Sequence, residues 1–218
     1  MVAQKHEIAP SGLGTGQNER AAETASSREW FGGGVASIAA GVLLILGHLV
    51  DGGASGAGTS VLGLSLVLVA HLIMVLALVG IYAAQSSRMG FIGFLGMILS
   101  VLGTALVSGV VLVEIAGAGG VAVEGVLRGG VAGMLAQFAG LGFFVGLLLF
   151  ASGTLRARVF PRGTGLLLIV GDLVFAASSS VGTAAWLLVI SGSVLTGAGF
   201  VWLGLLLLVR AQNERRTL

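Results

Sequence analysis

Residues 71–114 read HLIMVLALVGIYAAQSSRMGFIGFLGMILSVLGTALVSGVVLVE, two apolar runs joined by a short polar turn whose one cation is Arg88. The first run begins near residue 60 and the second ends at Val113. Each therefore exceeds the roughly 20 residues that a helix needs to cross a hydrocarbon core about 30 Å thick. A histidine, His71, lies inside the first run, and a carboxylate, Glu114, closes the second. The stretch reads as a transmembrane helical hairpin.

Four further apolar segments flank the hairpin, giving spans near 31–50, 60–82, 89–113, 131–153, 163–179 and 184–209. The fifth is short and carries Asp172, but its start from Leu166 to Val170 is strongly apolar. In lipid each helix satisfies its own backbone hydrogen bonds, so the expected fold is an all-α bundle of six transmembrane helices. A β-barrel would show alternating segments of about ten residues, and these segments do not alternate. Composition agrees: 56% of the chain is hydrophobic and 9% charged, against about 25% charged in ordinary soluble domains. The 38 glycines lie among Leu, Val and Ile without a Gly-X-Y period, as in closely packed membrane helices.

Residues 1–30 are polar and mixed in charge and are expected to form a flexible tail, with a second short tail at 210–218. No signal-peptide pattern follows Met1, so the first span is expected to act as an uncleaved anchor. Lys5, Arg20, Arg28, Arg88, Arg156, Arg158, Arg162, Arg210, Arg215 and Arg216 all fall on one side of a six-span topology. Only Arg128, of the 11 lysines and arginines, falls on the other. The positive-inside rule then places both termini in the cytoplasm of a cell whose inner, or plasma, membrane holds the protein.

Several functions are excluded early. The chain has no cysteine, which removes disulfides, thiolate metal sites and cysteine nucleophiles. Its one lysine is Lys5 in the tail, so the spans hold neither a P-loop nor a Schiff-base lysine. The cations are segregated by side rather than gathered in a patch, so nucleic acid is not an expected partner. No HExxH, HxxxH or Ser-His-Asp pattern points to hydrolysis, and no catalytic residue is assigned.

Attention then falls on polar groups that the membrane must tolerate. A charged residue at the centre of a span costs about 2.5–3.5 kcal/mol on insertion scales, so each needs a partner or a role. The candidates are His48, Asp51, His71, Glu114 and Asp172, with Gln137 in support. At 1.5 Å per residue Asp172 lies about 9 Å, and His71 about 15 Å, below the outer surface, while His48, Asp51 and Glu114 lie near it. Towards the cytoplasm the series thins to the hydroxyls of Thr104, Ser100 and Tyr82.

Three readings compete. In the first, these groups line an outward-facing polar cavity for passage or sensing of a small solute, a proton or a cation. In the second, the chain is a non-catalytic subunit of a larger membrane complex, its polar groups serving bundle specificity and its small-residue faces packing on partners or a second copy. In the third, it is a membrane-embedded enzyme or binds b-type haem, although a depth difference of about 12 Å between His48 and His71 disfavours both at one iron. His48, Asp51 and Glu114 are also suitable ligands for a divalent metal at the outer surface.

Small residues mark packing faces. Gly93, Gly96, Ser100 and Thr104 share one face of the third span, and Gly142 and Gly146 form a GxxxG step on the fourth. Intramolecular packing explains them most simply. Trp30, Trp186 and Trp202 lie near span ends, as interfacial anchors do, and Phe143 and Phe144 are expected to pack in the core or face lipid.

A His near the end of the first span, HLIMVLALVGIYA in the second, RMGFIGFLGMILSVLGTAL leading to a Glu, and LRARVFPRGTGLLLIVG before the fifth follow one another over residues 35–208. That order resembles an uncharacterised family of six-span bacterial integral membrane proteins. His48, His71 and Glu114 occupy positions where such proteins place polar groups, while Asp172 and the absence of a proline after Glu114 depart from the pattern. The resemblance implies the six-span fold and a membrane location, and no activity.

Overall fold

The structure, a computed structural model, describes residues 13–53, 59–123, 125–180 and 185–217. These form α1 (Leu13–Gly53), α2 (Val61–Ala83), α3 (Ser86–Ala118), α4 (Gly130–Ala157), α5 (Arg162–Ala177) and α6 (Ala185–Thr217), with a 3-10 turn at Ser178–Ser180. Each helix, α5 together with the 3-10 turn that follows it, gives a stretch long and apolar enough to cross a membrane. The protein is a multi-pass, all-α bundle of six transmembrane helices, in which backbone polar groups are paired within helices rather than exposed to lipid. The helix α1 runs back as far as Leu13, through residues expected in the tail. Residues 1–12 of that tail, 54–58 between α1 and α2, 124 between α3 and α4, 181–184 before α6, and 218 lie outside the described residues.

Consecutive helices pack side by side, and α6 closes back onto α1, so the six form a ring. Small residues set the seams. A Cβ on Gly96 would meet the backbone of Leu149 and Phe150, and one on Gly146 would meet that of Leu99 and Ser100. With no hydrophobic force between helices in lipid, such close backbone approach supplies the van der Waals contact that holds them together. The seam between α1 and α6 uses the same device, Gly34 and Gly41 against Gly204 and Gly197, and Ser37 Oγ donates across it to the carbonyl of Phe200 at 2.7 Å. Ser100 and Thr104, expected to continue a polar series, are fully buried at the α3–α4 seam, and neither hydroxyl has a partner in the described structure.

Arg88, Arg156, Arg158, Arg162 and Arg210 share one end of the bundle, here called the basic end. There Gln85 Nε2 donates to Thr154 Oγ1 at 3.0 Å, and Thr154 donates onward to the carbonyl of Phe150 at 3.1 Å. The Arg210 guanidinium lies over the Trp30 ring at 4.5 Å and reaches the carbonyl of Ala84 at 3.4 Å. The half of the bundle towards this end is filled by Met74, Leu78, Ile81, Leu147, Phe150, Leu168, Phe200, Leu203 and Leu207, all 0% exposed.

Near its start α3 is broken at Gly90, whose φ of 65° and ψ of −171° are open to glycine but not to residues with a Cβ. The space around it is empty, since a Cβ there would meet nothing within 4 Å. Gly90→Ala therefore isolates backbone cost from packing cost. It is expected to destabilise the bundle by about 1–3 kcal/mol, read as a lower unfolding midpoint in detergent; an unchanged midpoint would show that the α2–α3 turn relaxes freely.

Candidate functional site

The half of the bundle away from the basic end is not filled. A cavity of about 570 Å³ opens there, lined by all six helices. That volume is within the range of small-molecule sites, roughly 300–1,000 Å³. His48, Asp51, His71, Glu114 and Asp172 all line it. Its wall is otherwise largely apolar, with Leu44 and Leu64 on α1 and α2, Val107 and Val111 on α3, and Phe143 and Phe144 on α4. The expected polar cavity is thus an apolar pocket with a few convergent polar groups. Gln137 and Tyr82 are not part of it; Tyr82 packs against Phe94 with ring centroids 6.0 Å apart.

Both histidines are held in the same way. His48 Nδ1 lies 2.9 Å from the carbonyl of Leu44, and His71 Nδ1 lies 2.8 Å from that of Val67. A carbonyl only accepts, so Nδ1 carries the hydrogen in each ring, and in the neutral imidazole Nε2 is left as an acceptor. Packing fixes the ring planes: His48 meets Phe175 edge-on at 5.4 Å, and His71 is tilted against Phe143 at 5.7 Å. Gly47 packs on Val67, and Gly63 on Asp51. By that register His71 lies roughly 8 Å deeper than His48. The expected offset of about 12 Å is smaller because α1 and α2 overlap closer to the loop that joins them. A haem between the two rings would still need both Nε2 atoms to converge on one iron, across helices offset by more than a turn.

The carboxylates occupy three different settings. Asp51 Oδ1 accepts the Ser60 N–H at 2.8 Å, while Ser60 Oγ accepts the Gly63 N–H at 3.2 Å and caps α2. Asp51 therefore clamps the end of the α1–α2 loop. Glu114 is exposed at the rim. Asp172 is 3% exposed, and its Oδ2 has no hydrogen-bond partner in the described structure. The helix holding it is pressed against α6, where a Cβ on Gly171 would meet Thr196 and the carbonyl of Gly192. His71, 5% exposed, shares the cavity with Asp172, but its ring hydrogen goes to Val67 rather than to the carboxylate.

The outer metal site does not form as expected. Among the described residues no three His, Cys, Asp or Glu side chains come together in a set that could hold a metal ion. The reason is geometric: Asp51 is turned to the Ser60 backbone. What the cavity does share is a set of polar side chains on its wall, His48, His71 and Asp172, among aromatic and aliphatic neighbours.

Sequence reading missed Phe175, Ser193 and Thr196, which also line the cavity. A signal was present, because Phe175 is one turn from Asp172, and Ser193 and Thr196 share a face of α6. The sidewall is thinnest between α4 and α5, the least closely packed neighbours in the ring. Leu141 on α4 lines the cavity while remaining 60% exposed. No protein-family model matches the chain, and no curated protein or solved structure matches it.

Proposed function

We propose that this protein binds, from the outer side of the cell's inner membrane, a small organic molecule with a hydrogen-bond-donating cationic head and an apolar body. Binding serves sensing or passage of that molecule. One observation carries the reading: Asp172 is buried on the cavity wall with an oxygen, Oδ2, that has no hydrogen-bond partner among the described residues. An unmet buried acceptor costs free energy, more so when charged, and an arriving ammonium group removes that cost. Phe143, Phe144 and Phe175 surround the same space, and aromatic faces attract cations further. A bare hydrated ion fits the largely apolar wall less well than an amphiphilic amine does.

The orientation rests on the segregation of cations described above, which favours a cytoplasmic basic end and cytoplasmic termini. Sensing requires no opening of the filled basic half, whereas passage requires Phe150, Leu203 and their neighbours to part.

A matched series tests the ligand class. Hexylammonium, hexanol and hexanoate are added to the purified protein and the unfolding midpoint is followed. Hexylammonium is expected to stabilise, by about 2.7 kcal/mol at one hundred times its dissociation constant. Hexanol is expected to act weakly and hexanoate not at all. Equal stabilisation by hexanoate would overturn the cationic assignment.

A further inference from the structure

At the opposite end of the molecule, the α4–α5 turn forms a second pocket, lined by Arg156, Arg158 and Arg162 together with Leu155 and Leu166. Among the described residues no carboxylate lines it. We propose that this pocket binds the phosphate group of an anionic phospholipid, with an acyl chain of that lipid lying along Leu155 and Leu166. This site is independent of the outer cavity and of what occupies it.

The argument begins with charge. Three exposed guanidiniums within seven residues repel one another, and nothing in the pocket lining neutralises them. Guanidinium forks match phosphate oxygens, forming paired charge-assisted hydrogen bonds. The start of α5 adds to the same field. Pro161 makes no capping side-chain bond, and no acidic residue lies in the first turn, so the positive end of the helix dipole is uncompensated on this side.

Position on the bundle then separates a lipid from a free anion. Leu166 is 51% exposed on the outer surface of a transmembrane helix, one turn below Arg162. The Trp202 ring covers Gly163 beside it, as expected of a residue at headgroup level. A guanidinium cluster at the polar boundary with leucines immediately below has the order of a phospholipid, headgroup above chain. Basic pockets between transmembrane helices on the cytoplasmic side recognise anionic headgroups by this chemistry.

Arg158 also has an unusual backbone. It caps α4 in the left-handed region, φ 52° and ψ 28°, and it is the one non-glycine residue with positive φ among the described residues. Glycine is the ordinary residue at such a helix end. Arg158→Gly therefore separates the guanidinium from the fold, because it removes the charge while relieving the backbone.

The test is native mass spectrometry of the full chain released from detergent and titrated with phosphatidylglycerol, phosphatidylcholine or inorganic phosphate. Phosphatidylglycerol is expected to bind at least about tenfold more tightly than phosphatidylcholine. The variant R156Q/R158Q/R162Q should reduce that preference to about twofold or less, while Arg128→Gln at the other end leaves it unchanged. Arg158→Gly should weaken phosphatidylglycerol binding several-fold while keeping or raising the unfolding midpoint without lipid, which maintains the test should the triple variant not fold. Equal binding of the two lipids, or retention of the preference by Arg158→Gly and the triple variant, would overturn the site. Displacement of phosphatidylglycerol by inorganic phosphate at equal concentration would overturn the lipid assignment in favour of a free phosphate.

Discussion

Replacing Asp172 by leucine is expected to stabilise the empty protein by about 1–3 kcal/mol and to abolish its binding of hexylammonium. The two effects have one cause. Asp172 is buried with Oδ2 unsatisfied, so the ligand-free fold carries a desolvation cost that no internal hydrogen bond offsets. Leucine has the same branched shape, and the adjoining cavity accommodates its larger volume. Asp172→Asn keeps the shape but removes the charge, and is expected to weaken hexylammonium binding about 10- to 100-fold. Unfolding midpoints with and without the ligand check both variants. A structural carboxylate would behave in the opposite way: Asp172→Leu would destabilise the empty protein, and the ligand response would persist in what remained folded. Asp172→Asn binding as tightly as the parent chain would show that the charge is not what the ligand meets.

The second large effect concerns the seam that holds the hairpin to α4. A Cβ at Gly146 would fall inside the envelope of the Ser100 backbone nitrogen, and one at Gly103 inside that of the Phe143 backbone nitrogen. Backbone cannot rotate aside as a side chain can, so α3 and α4 would have to separate along their length. Gly146→Ala is therefore expected to cost at or beyond the upper end of the roughly 1–3 kcal/mol typical of overpacked cores. Gly109→Ala is the control: it lies on the same helix pair, but its Cβ would meet nothing within 4 Å. It is expected to be neutral or to stabilise by up to about 1 kcal/mol, through helix propensity alone. Detergent unfolding curves of the two variants, measured side by side, provide the comparison, and equal midpoints would contradict the close-packed seam.

The hairpin of residues 71–114 shows why some of this was legible from the residues and some was not. Twenty consecutive apolar residues can do little other than span a bilayer, so the six spans were readable, while the polar extensions of α1 back to Leu13 and of α6 on to Thr217 were not. That His71, Glu114 and Asp172 lie at different levels along their spans was readable from the rise per residue. Their arrangement around one cavity required the closure of α6 onto α1. Gly34, Gly41, Gly197 and Gly204 encode that closure, but nothing local in a glycine-rich chain distinguishes those four from the rest. Ser100 and Thr104 illustrate the opposite error. A hydroxyl on a helix looks the same in sequence whether it faces water or packed protein, and theirs are fully buried. Asp51 looked like a metal ligand because its loop partner, the Ser60 N–H, belongs to the backbone and leaves no mark in composition.

Asp172 thus links the hairpin's cavity face to a chemical prediction, and its contact with a ligand can be observed directly. The decisive measurement is a structure of the protein with 6-bromohexylammonium, in which the bromine is located by its anomalous scattering. The account predicts the ammonium nitrogen about 2.7–2.9 Å from Asp172 Oδ2, with the bromine among Val107, Val111 and Phe144. Bromine confined to the lipid-facing surface, or an ammonium group bound in the cavity away from Asp172, would contradict it.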